Sequence, residues 1–250
     1  MKGITIRRYR MTIAYDGTSY AGWQVQPRHV TIQGELEGAL KELTGTKVRV
    51  ESSGRTDSGV HARGQVAHFD APDSFKPDKL QLGINALVKS DIRVMALSRA
   101  RSDFHARYSA KGKEYRYFIW NAPVLDPTVR LYRTHIRDPL DVEAMRKAAE
   151  RLQGRHDFTS FAANPNRIVE NACRDLRILT VRKRGPEIMI RAQADGFLYK
   201  MVRSLAGFLI RAGRLEITPE IAESILSSKL RTARVPTAPP EGLFLWKVFY

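Results

Sequence analysis

The stretch SSGRTDSGVHA (52–62) places two glycines, an arginine, an aspartate and a histidine within a short span. On its N-terminal side TKVRVES (46–52) alternates apolar and polar residues, as a half-buried strand does. On its C-terminal side GQVAHFD (64–70) does the same. The charged, glycine-rich segment therefore reads as a loop held between two strands. Polar groups on such a loop are positioned by the scaffold rather than merely solvated.

Working outward, RMTIAYD (10–16) puts Met11, Ile13 and Tyr15 on one face and reads as a first strand ending at Asp16-Gly17. Residues 31–43 form an amphipathic helix with Ile32, Leu36, Leu40 and Leu43 on one stripe. Thr31 is its expected cap and Gly45 its stop. A second helix is expected over about 77–88, with Leu80, Ile84 and Leu87 inward, followed by a strand at 92–98. The resulting order is strand, helix, strand, strand, helix, strand. This is the split βαβ arrangement of an α+β sandwich.

A second half begins near Phe104, so the chain reads as two α+β halves, 1–103 and 104–250. FHARYSAKGKEYRYFIW (104–120) reads as a short strand, a Lys-Gly turn and a second strand carrying Tyr115, Tyr117 and Ile119 on one face. Residues 121–139, with prolines at 123, 127 and 139, are a loop-rich connector. A helix follows at 141–152 with Met145, Ala148, Ala149 and Leu152 inward, then a long ordered loop over 155–175. Strands are expected at 175–183 and 187–194, a strongly apolar helix at 195–213, a short helix from Thr218-Pro219, and a last strand in GLFLWKVFY.

Composition narrows the function. The 250 residues carry a formal net charge of +16, which attracts polyanions, and the basic residues spread along the whole chain. No apolar run approaches the length of a membrane span, and the basic N-terminus lacks the apolar core of a secretory signal. Cys173 is the single cysteine, so no intrachain disulfide or multi-cysteine zinc site is possible.

Several residues carry candidate chemistry, each with a plainer alternative. Asp57, between glycines and beside Arg55, is a nucleophile or base at neutral pH, or an Asx-turn in an ordinary hairpin with Arg55 as a surface ion pair. The loop YAGWQVQP (20–27) either contacts bases or forms a hydrophobic plug. Lys113, Tyr115 and Tyr117 either stack on bases and meet phosphate or pack in the core. Arg203 either snorkels from its helix or pairs with a buried anion. Asp195 caps the same helix in its plainer role. His61, His68 and His105 invite a metal site with Asp57, but no ligand spacing supports one.

SSGRTDSGVHARGQVAHFD (52–70) resembles the signature of the tRNA pseudouridine synthase A family. YDGTSYAGWQ (15–24), TIQGELEGAL (31–40), DFHARYSAKGKEYRYFIW (103–120), DFTSFAA (157–163), DGFLYKMVRSLAG (195–207) and APPEGLFL (238–245) are similar to further family blocks, in the family's order. The resemblance implies the pseudouridine synthase fold, an α+β architecture of two split-βαβ-like halves with a central cleft. It implies a cytoplasmic homodimer that binds tRNA, uses no cofactor and no metal, and converts uridines 38, 39 and 40 of the anticodon stem-loop to pseudouridine. Asp57 matches the family's catalytic aspartate, and Tyr115 its active-site tyrosine, suited to stacking on the flipped uracil. Arg55 matches the arginine beside that aspartate, and Arg203 the arginine of the MVR segment, a partner for the carboxylate. Many relatives have a histidine or asparagine near Tyr199-Lys200, a departure expected to alter local RNA contacts only. Ser52 and Ser53 occupy variable positions.

Overall fold

The computed structural model describes residues 5–163 and 171–250. In chain order the elements are β1 (Ile6–Tyr15), α1 (Ile32–Thr44), β2 (Glu51–Ser52), β3 (His61–Pro72), α2 (Pro77–Leu87), β4 (Ile92–Arg99), β5 (Gly112–Asn121), β6 (Thr134–Ile136), α3 (Val142–Arg151), β7 (Gly154–Asp157), β8 (Cys173–Arg184), β9 (Glu187–Ala194), α4 (Met201–Gly213), α5 (Ile221–Ser228) and β10 (Leu243–Phe249). The class is mixed α+β. The chain divides into two compact units, Met1–Lys111 with Leu245–Tyr250, and Gly112–Phe244.

In the first unit the sheet runs β4-β1-β3 with β2 paired to β3, and these pairings are antiparallel. That is the expected split βαβ order. β1 alternates with period two, so Tyr9, Met11, Ile13 and Tyr15 are buried. α2 packs along β4 and α1 against α2. Thr31 caps α1 by accepting from the Gly34 amide, and Gly45 ends it in the left-handed region at φ 70°. The C-terminal residues join this unit through specific contacts. The Lys111 amide donates to the Phe249 carbonyl and the Tyr250 hydroxyl to that of Ala106.

Leu87, expected inward on α2, is 40% exposed at the helix end, and only Leu80 and Ile84 are buried there. Two further expectations fail in this unit. Of 46–52 only Glu51 and Ser52 pair as strand. Val48 and Val50 are buried as the alternation requires, but α1 supplies the hydrogen bonds that a neighbouring strand would. Val50 N–H donates to Glu37 Oε1 at 2.9 Å, and Gln33 Nε2 to the Val50 carbonyl at 3.1 Å. Before the Lys-Gly turn, no strand forms over 104–109. The chain turns there instead, with the Ser109 amide on the His105 carbonyl and the His105 amide on Ser109 Oγ.

In the second unit β5, β9, β8 and β7 are neighbours in that order, all antiparallel, and β6 pairs parallel with the end of β5. The β8–β9 hairpin turns at Gly185 with φ 56°. α3 packs on β8 and α4. α4 is buried nearly all round, and Phe158, Phe161 and Phe208 meet edge to face at 5.8–6.0 Å beside it. Each such fully buried ring contributes about 1.5–3 kcal/mol. The expected loop over 155–175 opens as β7 and closes as β8, and its residues 164–170 lie outside the described set.

Helix α4 starts at Met201, not at 195. Lys200 before it stands in the left-handed region at φ 56°, which breaks the helical path. Asp195 is therefore no cap. Its Oδ1 accepts from the Asp175 amide at 3.1 Å, stitching β9 to β8. α5 likewise begins at Ile221, and Pro219 belongs to the turn before it.

Glu114 on β5 is the buried charge of this unit, with Arg116 at 2.8 Å and Arg191 at 2.9 Å. Burial pushes its carboxyl up, but the two guanidinium groups outweigh this and hold it below the ordinary glutamate value. A depressed carboxylate pKa stabilises the fold above the unfolded value and loses that contribution as pH falls through the folded one. Glu114→Gln is expected to lower stability by about 1–3 kcal/mol at pH 7. The deficit should shrink as urea denaturation is repeated towards pH 4. A deficit constant with pH would contradict the ion-pair account.

Candidate active site

The loop between β2 and β3 is fastened at both ends. At its start, Ser53 and Gln65 are both fully buried. Ser53 Oγ donates to Gln65 Oε1 at 2.7 Å, the Val66 amide donates to the same oxygen at 3.1 Å, and Gln65 Nε2 donates to the Gly54 carbonyl at 2.8 Å. The Ser53 amide also bonds the Val66 carbonyl at 2.7 Å. Each is a buried polar group satisfied by a fixed partner, so the loop cannot shift without leaving several unpaired.

At its crown, Thr56 is held from below. Its Oγ1 lies 2.8 Å from the buried Tyr15 hydroxyl, and its carbonyl accepts from the Trp23 amide at 3.1 Å. Burial pushes the Tyr15 phenol up to about 12, only partly offset by the bond to Thr56, so it stays neutral. Asp57 to Val60 closes a turn through the Val60 amide and Asp57 carbonyl at 3.2 Å, with Gly59 at φ 74° in the third position. Ser58 Oγ donates to the Tyr20 carbonyl at 3.1 Å.

The segment beneath leaves no room for side chains. A Cβ on Gly22 would lie 2.6 Å from the Thr56 carbonyl, and Gly22 itself has φ 96°. One on Gly17 would lie 2.0 Å from the Val60 carbonyl. Within the YAGWQVQP loop Tyr20 and Trp23 form a plug, while Val25, Gln26 and Pro27 are exposed. Tyr20 and Trp23 are buried under the Asp57 loop, and Trp23 packs on Tyr15 at 6.2 Å. His61, fully buried, accepts the Gly17 amide on Nδ1 at 3.0 Å.

Upon this base Asp57 is half-buried and Arg55 exposed. Arg55 makes no hydrogen bond or ion pair with any described residue. Tyr115 and Arg203 stand in the second unit. Tyr115, on β5 opposite Ala192, is buried and meets Phe197 edge to face at 5.1 Å. Its face-mate Tyr117 is a core residue, its hydroxyl on Thr134 Oγ1 at 2.6 Å and on the Pro239 carbonyl at 2.9 Å. Arg203 is half-buried on α4, and its Nε donates to the Ala238 carbonyl at 2.7 Å.

The histidines divide differently from the sequence pattern. Glu51, His68 and His105 bring one ligand-type atom each within 4.8 Å of one another. His68 Nδ1 accepts the Ala106 amide, and His105 Nδ1 accepts those of Arg107 and Tyr108. A neutral imidazole accepting on Nδ1 carries its proton on Nε2. On His105 the N–H is therefore Nε2, which points at Glu51 Oε2 at 3.3 Å. The donor set suits a hydrogen-bonded clasp between β2, β3 and the 104–109 turn, and not a metal. Burial, helped by Arg8 and His105, lowers the His68 pKa and favours this neutral form.

Ser53 and Gln65 are the residues that the sequence pattern did not single out. Ser53 resembled a variable linker residue, and Gln65 an outward position on an alternating strand. The available signal was their spacing: a hydroxyl and an amide just outside the two ends of a polar loop.

The scaffold is α+β, carries basic residues throughout and fastens one aspartate on a glycine-bounded turn. Residues 11–109 and 148–250 match the family described as tRNA pseudouridine synthase, and the chain belongs to that family. Proteins named tRNA pseudouridine synthase A are similar along nearly their whole length. That of Brevibacillus brevis is 43% identical, covering 98% of this chain and 100% of the relative. That of Moorella thermoacetica is 46% identical, covering 96% and 98%. That of Bacillus subtilis is 45% identical, covering 97% and 99%.

Gln65→Leu keeps the volume but strips the amide from Ser53, Gly54 and Val66. A loss of about 2–4 kcal/mol in unfolding free energy is expected, since more than one buried group is left unpaired. Gln65→Glu should restore part of it, because one carboxylate oxygen still accepts from Ser53 and Val66. Equal losses in the two variants, measured by urea denaturation, would show that the amide network does not hold the loop.

Proposed function

We propose that this chain isomerises uridine to pseudouridine in tRNA, at positions 38, 39 and 40 of the anticodon stem-loop, with Asp57 as the nucleophile. The observation that carries the reading is the rigid seat of Asp57: a half-buried carboxylate on a turn whose backbone is fixed from both ends and from below. A nucleophile held in one place has its positional entropy removed before substrate arrives.

The reaction exchanges the C1′–N1 bond for C1′–C5 with no net gain or loss of atoms. One carboxylate suffices. In one route it bonds to C1′ as N1 leaves with the electron pair. The uracil then turns, C5 attacks C1′, and the carboxylate departs. In the other it adds to C6 and is eliminated after the new bond forms. In both, the hydrogen on C5 is lost as a proton and N1 gains one. The base must first leave its stack. Arg55, exposed and with no described partner, is suited to the phosphates or the gap around the flipped nucleotide. Tyr115 is assigned to stacking on the uracil, and Arg203 to negative charge at the reacting centre. A homodimer binding tRNA across both copies, in the cytoplasm, belongs to the same proposal, as does catalysis without a cofactor.

Asp57→Asn preserves shape and removes the nucleophile. Pseudouridine mapping of a tRNA transcript should show formation lost by at least ~1000-fold while tRNA affinity stays within about twofold of wild type. Wild-type activity should survive a chelator. Full activity in the variant would remove Asp57 from the chemistry. Pseudouridine outside positions 38–40 would overturn the assigned specificity, and chelator-sensitive cleavage of the RNA would replace isomerisation with nuclease chemistry.

A further inference from the structure

Arg231 is a half-buried cation whose hydrogen-bond partners among the described residues are all neutral. Its Nη1 donates to Ser204 Oγ at 2.8 Å and its Nη2 to Thr237 Oγ1 at 2.7 Å. It makes no ion pair with a described carboxylate. Most of the chain's other half-buried arginines are treated differently. Arg8 is forked onto Asp70, Arg133 pairs with Glu187, and Arg191 pairs with Glu114. Burial lowers the Arg231 pKa, with no carboxylate to counter it.

The two hydroxyls belong to a stiff frame. Ser204 is fully buried on α4. The segment bearing Thr237 is sewn to the same helix, with the Ala238 amide on the Arg203 carbonyl at 3.0 Å and Arg203 Nε on the Ala238 carbonyl at 2.7 Å. It lies so close that a Cβ on Gly207 would meet the Pro236 carbonyl at 2.1 Å. The first turn of α4 carries no acidic residue. The guanidinium is thus oriented without being neutralised, and its remaining N–H groups keep their demand for an anion. Holding a charge by neutral dipoles spends the desolvation in advance and reserves the Coulomb gain for a ligand.

We propose that Arg231 is a phosphate-binding residue for the tRNA backbone, with Ser204 and Thr237 as its positioning residues. The proposal rests on the tRNA reading above and extends it to a contact outside the reacting centre. A fork-shaped, fixed guanidinium matches a phosphodiester through two parallel N–H···O bonds. Such a contact adds affinity and register without reading sequence.

The test uses full-length protein and an unmodified tRNA transcript, with affinity measured across a salt series alongside single-turnover pseudouridine formation. Arg231→Gln should raise the dissociation constant about five- to twentyfold and flatten the slope of log affinity against log salt by about one. The single-turnover rate at saturating tRNA should stay near wild type. Arg231→Lys keeps the charge and should recover the slope with part of the affinity. Ser204→Ala combined with Thr237→Val should weaken binding with the slope retained. Arg231→Gln with wild-type affinity and slope overturns the proposal. So does a variant pair in which Gln and Lys lose melting temperature and affinity equally with the slope unmoved, which is the mark of a purely structural bridge. Wild type that modifies tRNA while Arg231→Gln binds normally discards this site alone. Wild type that neither binds nor modifies tRNA discards the enzyme reading with it.

Discussion

The packing of the 17–23 segment beneath the Thr56–Val60 backbone is the contact on which the candidate site depends. Two glycines let main chain meet main chain with no side chain between. At that separation neither partner moves alone. Asp57 inherits its position from covalent geometry and from the buried hydrogen bonds of its loop. This is a costly arrangement in conformational freedom, since it fixes two loops at once. Around it, the cost is offset by a dense apolar floor of Tyr15, Tyr20 and Trp23 and by the fully satisfied Ser53–Gln65 network.

The same economy of position explains how the protein handles its charge. With +16 to distribute, the fold commits carboxylates where an arginine is structural, as at Arg8–Asp70 and Arg191–Glu114. It withholds them where a cation faces out or sits between hydroxyls, as at Arg55 and Arg231. Net charge alone attracts RNA but does not orient it. A cation held in place by neutral hydroxyls, as Arg231 is by Ser204 and Thr237, is fixed as well as charged.

Much of this was legible in the chain, because it follows from local patterns. The β1 alternation, the Thr31 and Gly45 caps of α1 and the turn at Gly185 each depend on residues within a few positions of one another. The Asp57 loop was legible as a loop for the same reason. What escaped was decided by partners far away in sequence. Val48 and Val50 have a strand's pattern but receive α1 side chains in place of a ladder. Residues 195–200 have a helix's apolarity, yet Lys200 turns left-handed and Asp195 is drawn to the neighbouring strand. Ser53 and Gln65 look ordinary singly and acquire meaning only as a pair across the loop.

Tyr115 and Tyr117 show why a shared face does not imply a shared role. Both lie on β5 with period two and both are buried. Tyr117 has its hydroxyl consumed by Thr134 and Pro239, and burial raises its pKa further, so it is committed to the core. Tyr115, two residues earlier, meets Phe197 with its ring edge to face. An edge-to-face partner fixes a ring's plane while leaving the π-face geometry defined for another planar group. In a strand the periodicity selects which residues point together, while what each ring meets is set by other elements: Phe197 for Tyr115, and Thr134 with Pro239 for Tyr117. For Tyr117 one of those partners lies 122 positions away, at Pro239.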